Sequence, residues 1–137
     1  MKQRVPVSMI MSTEMVQLNT SDNLYKAEQL FKKHNIRHIP VVSGKKIVGI
    51  LSYTDLLRIS YADVTDNDTV ESTVYDMFDI QQVMAKTPEV VSSKTTIKEV
   101  AEILSEREFH ALPVVDDEEL VGIVTTTDLI KYLLEQY

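Results

Sequence analysis

The chain contains no cysteine. Disulfides, thiolate nucleophiles and zinc–thiolate sites are therefore excluded. Histidine is scarce, and His34, His38 and His110 show no ligand spacing. His34 and His38 are numbered four apart, but Pro40 argues against one helix carrying both, so no metal site is expected. Glycine is also scarce, and the three present form no Gly-rich loop of the P-loop kind. No apolar run approaches the roughly 20 residues of a membrane span. The N-terminal MKQRVPVSMIM is broken by Pro6 and Ser8 and is too weak for a signal peptide. A soluble cytoplasmic protein without membrane contact is the expectation. Basic residues are in deficit, 14 against 21 acids, for a net charge of −7. That deficit argues against a general nucleic-acid binder, which needs a basic face, and no helix-turn-helix signal offsets it. No nucleophile stands beside a base, so no catalytic residue is assigned and no enzyme is expected.

What is present suits a folded chain. A hydrophobic fraction of 44% with 26% charged residues is ordinary for a globular protein, so disorder is not expected overall. The dominant feature is an internal repeat. VGILSYTDLL at 48–57 returns as VGIVTTTDLI at 121–130. Pro40 matches Pro113, Gly49 matches Gly122, Asp55 matches Asp128 and Met11 matches Met84, each at an offset of 73 residues. Between Ile36 and Arg58, nine of 23 positions are identical to their counterparts, where average residue usage gives about one or two.

Each repeat reads β-α-β-β-α. A short β-like run, Met15–Leu18 or Glu89–Val91, precedes a polar cluster with capping character. Helices follow, with apolar stripes at Leu24, Ala27, Leu30 and Phe31, and at Ile97, Val100, Ala101, Ile103 and Leu104. Thr96 and Glu99 form a capping-box pattern. Ile39–Val42 with Ile47–Leu51, and Leu112–Val115 with Leu120–Val124, read as hairpins. Pro40 and Pro113 are expected to open their strands or to sit where no ladder hydrogen bond is needed. Final helices are expected from Thr54 to Tyr61 and from Thr127 towards Tyr137. The fold class is α+β, two β-α-β-β-α repeats about a pseudo-twofold axis. A single unit this small buries too little to be comfortable alone, so one shared core is expected. The domain reading is 7–60 for repeat 1, 61–79 for an acidic linker read as a solvated loop, and 80–137 for repeat 2. The repeats differ in charge. Asn23–Arg58 has seven basic and two acidic residues, whereas Thr96–Lys131 has three basic and nine acidic.

The methionine pair, both h-P-V-V strands and both V-G-I-h-[ST]-x-T-D-L-h segments together resemble the CBS-domain pair, also called a Bateman module. The resemblance spans almost the whole chain and points to the stand-alone CBS-pair proteins, a group that includes an acetoin-utilisation regulator. It implies a non-catalytic regulatory module that senses an adenosine compound: AMP, ADP, ATP or S-adenosylmethionine. It further implies two ligand sites, each pooling both repeats. Site A would combine Asn19, Ile36 and Arg37 with Thr125, Thr127 and Asp128. Site B would combine Thr87, Ser92, Phe109 and His110 with Ser52, Thr54 and Asp55. Each Asp would take ribose hydroxyls, and the Ser and Thr hydroxyls would face phosphate. The sites are unequal. Arg37 is permanently charged and able to fork onto phosphate, while His110 changes charge with pH. Thr87 has Glu14 as its counterpart.

Two readings of Ser52-x-x-Asp55 and Thr125-x-x-Asp128 stand side by side at this level. Either pair can be a plain capping box, or an anion- and ribose-binding half-site at a helix N-terminus. Arg37 is likewise either a phosphate contact or a solvated helix-exit residue. The expected cofactor is none, with an adenine nucleotide as regulatory ligand. The expected partners are a second copy, arranged head-to-tail by the opposite charges of the two halves, and an unidentified target protein. The alternative is a purely structural dimerisation module without a ligand.

Overall fold

Both repeats obey the same local rules, and the computed structural model, which describes residues 4–62 and 75–137, shows how. After a single 3-10 turn at Val7–Met9, the elements are β1 (Leu18–Asn19), α1 (Leu24–His34), β2 (His38–Ser43), β3 (Lys46–Ser52), α2 (Tyr53–Ala62), α3 (Ile80–Val83), β4 (Ala85–Lys86), α4 (Ile97–Glu106), β5 (Ala111–Asp116), β6 (Glu119–Thr125) and α5 (Thr126–Glu135). The architecture is mixed α+β. The acidic stretch of residues 63–72, read as a loop, lies outside the described residues. Among the described residues no helix is long and apolar enough to cross a membrane.

The chain divides into two compact units whose borders do not follow the sequence repeats. One is Val16–Thr87; the other joins the chain up to Met15 with Pro88–Tyr137. The lead-in segment of each repeat is thus folded with the other repeat. In the first unit β1 runs parallel to β2, β2 antiparallel to β3, and β3 antiparallel to β4. The second unit repeats this pattern. β5 and β6 pair antiparallel, a parallel bridge joins Val91 to Val114, and an antiparallel bridge joins Ser12 to Ile123. Leu18↔Val41 and Ile50↔Ala85 are the same pairs displaced by the repeat offset. Even the register shifts coincide, at Val41/Val42 and Val114/Val115.

The exchange explains the repeated methionine and glycine. A Cβ on Gly49 would run into the Met84 sulfur and stand 2.8 Å from the Ala85 carbonyl oxygen. A Cβ on Gly122 would stand 2.6 Å from Met11 Sδ and 3.0 Å from the Ser12 carbonyl oxygen. Glycine permits this close crossing of two strands.

The strand reading needs one correction, and the second of its two alternatives for the prolines holds. The first β-like run is only β1 in repeat 1 and a single bridge at Val91 in repeat 2, because parallel pairing is confined to those residues. Pro40 and Pro113 stand third in their strands, not first. The Pro113 carbonyl accepts from Val91 N–H at 3.1 Å, so its ring nitrogen faces the side where the parallel partner has not yet begun. No ladder bond is lost there.

Buried side chains gather in two clusters, one in each unit. Leu18, Leu24, Ala27, Phe31, Ile39, Val41, Leu51 and Leu56 build the first. Val7, Val91, Val100, Leu104, Leu112, Val114 and Val124 build the second. Each fully buried aliphatic side chain contributes about 1.5–3 kcal/mol relative to exposure. Tyr75, read from sequence as linker, belongs to the first core. It is 5% exposed, meets Tyr25 edge-on at 5.1 Å, and its hydroxyl donates to Glu28. The helices start as their caps dictate. Asn23 Oδ1 accepts from Lys26 N–H and Thr96 Oγ1 from Glu99 N–H. The Glu99 side chain takes the Thr96 hydroxyl proton instead of reaching back to the backbone, so only half of that capping box forms.

Candidate functional site

The two strand–helix junctions are built alike. β3 ends at Ser52 and β6 at Thr125, and a helix begins at the next residue. Ser52 Oγ accepts from Asp55 N–H at 3.0 Å, while Asp55 Oδ2 accepts from Ser52 N–H at 3.2 Å. Thr125 Oγ1 accepts from Asp128 N–H at 3.2 Å, and Asp128 Oδ2 accepts from Thr125 N–H at 2.9 Å. Both are reciprocal capping boxes, and a carboxylate in the first turn suits the helix dipole.

Capping does not exhaust either carboxylate, because each has roughly four acceptor positions and the cap takes one. The remaining oxygen distinguishes the copies. Asp55 Oδ1 faces Arg58 Nη1 at 3.4 Å. Lys131 replaces Arg58 in repeat 2, and Asp128 Oδ1 has no partner among the described residues. Both Asp residues are half-buried, and Thr54 and Thr127 are exposed beside them.

The residues before each h-P strand are tied to these junctions. The Arg37 carbonyl accepts from Tyr53 N–H at 2.9 Å, and the His110 carbonyl accepts from Thr126 N–H at 3.0 Å. Ile36 and Phe109 are half-buried and pack on their cores, while Arg37 and His110 are exposed. Asn19 and Ser92 head equivalent turns. Asn19 Oδ1 accepts from Ser21 N–H at 3.2 Å, and Ser92 Oγ accepts from Lys94 N–H at 3.2 Å. Thr87 is exposed, with its hydroxyl donating to the Lys86 carbonyl at 2.7 Å. Its φ of 47° is a left-handed conformation that a β-branched residue rarely adopts.

The Val16–Thr87 unit therefore carries Asn19, Ile36, Arg37, Ser52, Thr54, Asp55 and Thr87. The other carries Ser92, Phe109, His110, Thr125, Thr127 and Asp128. Inside the first unit, Ile36 and Arg37 of site A adjoin the Ser52–Asp55 segment of site B, since His38 pairs with Ser52. The sequence reading missed what surrounds them. Phe31, Lys32, Asn35, Ile36, Arg37 and Tyr53 line a pocket of about 180 Å³. Phe31 read as part of an apolar helix stripe, and no periodicity relates it or Lys32 to Tyr53. Their one shared signal was the absence of these residue types at the matching positions of repeat 2.

Comparison with known proteins agrees with this architecture. The family model for the CBS domain matches residues 7–62 and 79–135. CBS domain-containing protein CBSX1, chloroplastic, of Arabidopsis thaliana is 33% identical over 130 residues, covering 80% of this chain and 55% of that protein. The chain spans 44%, 22% and 55% of the first three curated relatives it matches. The crystal structure of CBSX2 in complex with AMP superposes with TM-score 0.81 at 24% identity, covering 96% of this chain and 98% of that one. The CBS domain pair of protein MJ0100 in complex with 5-methylthioadenosine and S-adenosyl-L-methionine superposes with TM-score 0.80 at 24% identity, covering 97% and 98%. Two matched repeats, one backbone register and the paired capping boxes lead to the same place: the chain belongs to the CBS-domain family and is built as a CBS pair.

Proposed function

We propose that the chain is a non-catalytic regulatory module that binds an adenosine-type ligand through Asp128 and its surroundings. One observation carries the reading. Asp128 is locked in place through Oδ2 while Oδ1 stays unengaged, so a preoriented acceptor is available to a pair of vicinal hydroxyls. Arg37, which has no ion pair among the described residues, is the phosphate contact of the same site A. Asn19, Ile36, Thr125 and Thr127 complete it. Site B (Thr87, Ser92, Phe109, His110, Ser52, Thr54 and Asp55) is the weaker one, because Arg58 already occupies Asp55 Oδ1. The AMP, 5-methylthioadenosine and S-adenosylmethionine complexes of structural neighbours support this ligand class. Binding biases two arrangements of the protein by its differential affinity for them. The output passes to a second copy or to a target protein. α5 supports the former. It has no buried residue and exposes Ile130, Leu133 and Leu134. The charge difference between the repeats orients that dimer head-to-tail, and a head-to-head pair in crosslinking would refute the orientation.

Thermal unfolding with AMP tests the ligand reading. At about 100 times its Kd, AMP should add about 2.7 kcal/mol of stability. Asp128→Asn keeps an oxygen for the cap but replaces the second acceptor with a donor, and it should abolish the gain. The capping boxes are also what a purely structural dimerisation module would contain. No stabilisation by any adenosine compound would establish that reading instead.

A further inference from the structure

With six methionines and no cysteine, the chain carries all of its sulfur as thioether. A two-electron oxidant that would meet a thiol elsewhere meets methionine here. The methionines differ in setting. Met9 and Met77 are 71% and 63% exposed. Met84 is 8% exposed and belongs to the first core. Met11, its counterpart in the repeat, is half-buried and packs against the second core. Met11 sits on Gly122 with no gap. A Cβ there would stand 2.6 Å from Sδ, and the Ser12 carbonyl oxygen lies 3.0 Å from the same point. Met84 occupies the equivalent seat on Gly49.

Met11 is the side chain that fastens the lead-in segment of its unit to β6. The Val5 carbonyl accepts from Ile97 N–H at 2.8 Å, and Val7 N–H donates to the Thr95 carbonyl at 2.7 Å. Ser12 and Ile123 exchange reciprocal backbone hydrogen bonds at 2.9 and 3.0 Å. This last pair joins the segment to β6 directly beside the Met11 contact, two residues before Thr125 ends the strand. The core under Met11 is made of valine and leucine. The polar atom at the contact, the Ser12 carbonyl oxygen, is an acceptor that already takes Ile123 N–H. A sulfoxide oxygen is another acceptor, so the two cannot pair.

We propose that Met11 is a site of reversible oxidation: a hydroperoxide converts its thioether to the sulfoxide, and the sulfoxide loosens the Val5–Ser12 segment from β6. In this step sulfur gives two electrons to the peroxide and the O–O bond breaks. One oxygen forms the S–O bond. The other takes its proton and leaves as water or an alcohol. The product is polar and larger than the thioether, in a seat where an apolar group already touches backbone. Loosening the segment lets water hydrogen-bond the new oxygen, so the oxidised chain favours the loosened arrangement. Exposure orders the reactions. Met9 and Met77 react first as bystanders, Met11 next, and Met84 last because its sulfur is the better covered.

Peptide mass mapping after graded doses of hydrogen peroxide, paired with urea unfolding of the full chain, tests the proposal. Met9 and Met77 should gain oxygen first, with the urea midpoint unchanged. The midpoint should then fall in step with Met11 sulfoxide and ahead of Met84 sulfoxide. The unfolding equilibrium constant should rise by about tenfold, as for a polar group buried without a partner. Met11→Leu, of similar volume, should remove this fall, and Met9→Leu should not. Should Met11→Leu fail to fold, hydrogen exchange of the unsubstituted chain answers instead: the Val7, Ser12 and Ile123 amides should lose protection in proportion to Met11 sulfoxide. Methionine sulfoxide reductase with its thiol reductant should restore midpoint and protection. None of these measurements contains a ligand, so they stand or fall apart from the ligand reading. A midpoint indifferent to Met11 sulfoxide, a Met11 that stays reduced until Met84 has reacted, or protection that does not return on reduction would overturn the proposal.

Discussion

The tips of the two hairpins show how far the repeats have diverged on an unchanged frame. Repeat 1 turns through Ser43, Gly44, Lys45 and Lys46; repeat 2 turns through Asp116, Asp117, Glu118 and Glu119. Ser43 pairs with Lys46 and Asp116 with Glu119, so opposite charges sit on the same register. The same holds at the end of the first helix of each repeat, where an aromatic, cationic pocket in one corresponds to Leu104, Ser105 and Glu108 in the other. The lesson is about which positions are constrained. Inward aliphatic side chains, the glycine under a methionine and the junction caps fix the backbone. Exposed positions around them are free to carry different chemistry in each copy.

Truncating the cores should give the largest effect. Ile39 and Leu112 are counterparts, and both are fully buried. Ile39→Ala and Leu112→Ala should each cost about 2–5 kcal/mol, measured by urea unfolding. A loss in one but not the other would break the equivalence of the two clusters. Next come the glycines. Gly49→Ala should cost about 1–3 kcal/mol, because the Ala85 carbonyl as well as Met84 blocks the new methyl. Gly122→Ala should cost less, since the Ser12 carbonyl oxygen stands 3.0 Å from its new methyl against 2.8 Å for the Ala85 oxygen at Gly49.

The caps come third. Ser52→Ala and Thr125→Ala should each lose about 1 kcal/mol. Arg58→Ala should change stability by no more than about 1 kcal/mol, because its ion pair is exposed. If an engaged Oδ1 is what weakens site B, this substitution should raise AMP affinity there, which isothermal titration would detect.

The smallest expected effect is one of pH. Hydrogen bonds from the Ser93 hydroxyl and N–H, helped by Lys94, hold the Asp116 carboxyl below its usual range. A depressed folded pKa contributes stability that is complete above the unfolded value and is lost as pH falls through the folded one. Asp116→Asn should therefore flatten slightly the fall in urea midpoint on acidification, whereas Ser43→Ala at the matching place should not.

Most of the frame was legible because repetition doubles a weak signal. The hairpins, four of the helices and the Ser/Thr–Asp junctions follow from periodicity and capping patterns that agree in two copies. Other features were not legible for a physical reason. Tyr75 lies in the stretch read as linker, and its burial comes from Tyr25 and Glu28, which a local window does not contain. The Pro40 position depends on how far a neighbouring strand extends. The pocket joins α1 to the start of α2, residues that no spacing rule relates.

The sequence by itself determined the family, the hairpins and the junction caps, because these depend on local spacing and on residues that recur at one offset. Tertiary structure decided that each repeat's leading methionine folds onto the other repeat's glycine strand, that capping leaves Asp128 an unengaged oxygen where Asp55 has Arg58, and that Phe31, Tyr53, Lys32 and Arg37 share one opening. Each of these rests on contacts between residues distant along the chain or on the direction of a side chain, and neither is encoded in the order of residues over a single turn or strand.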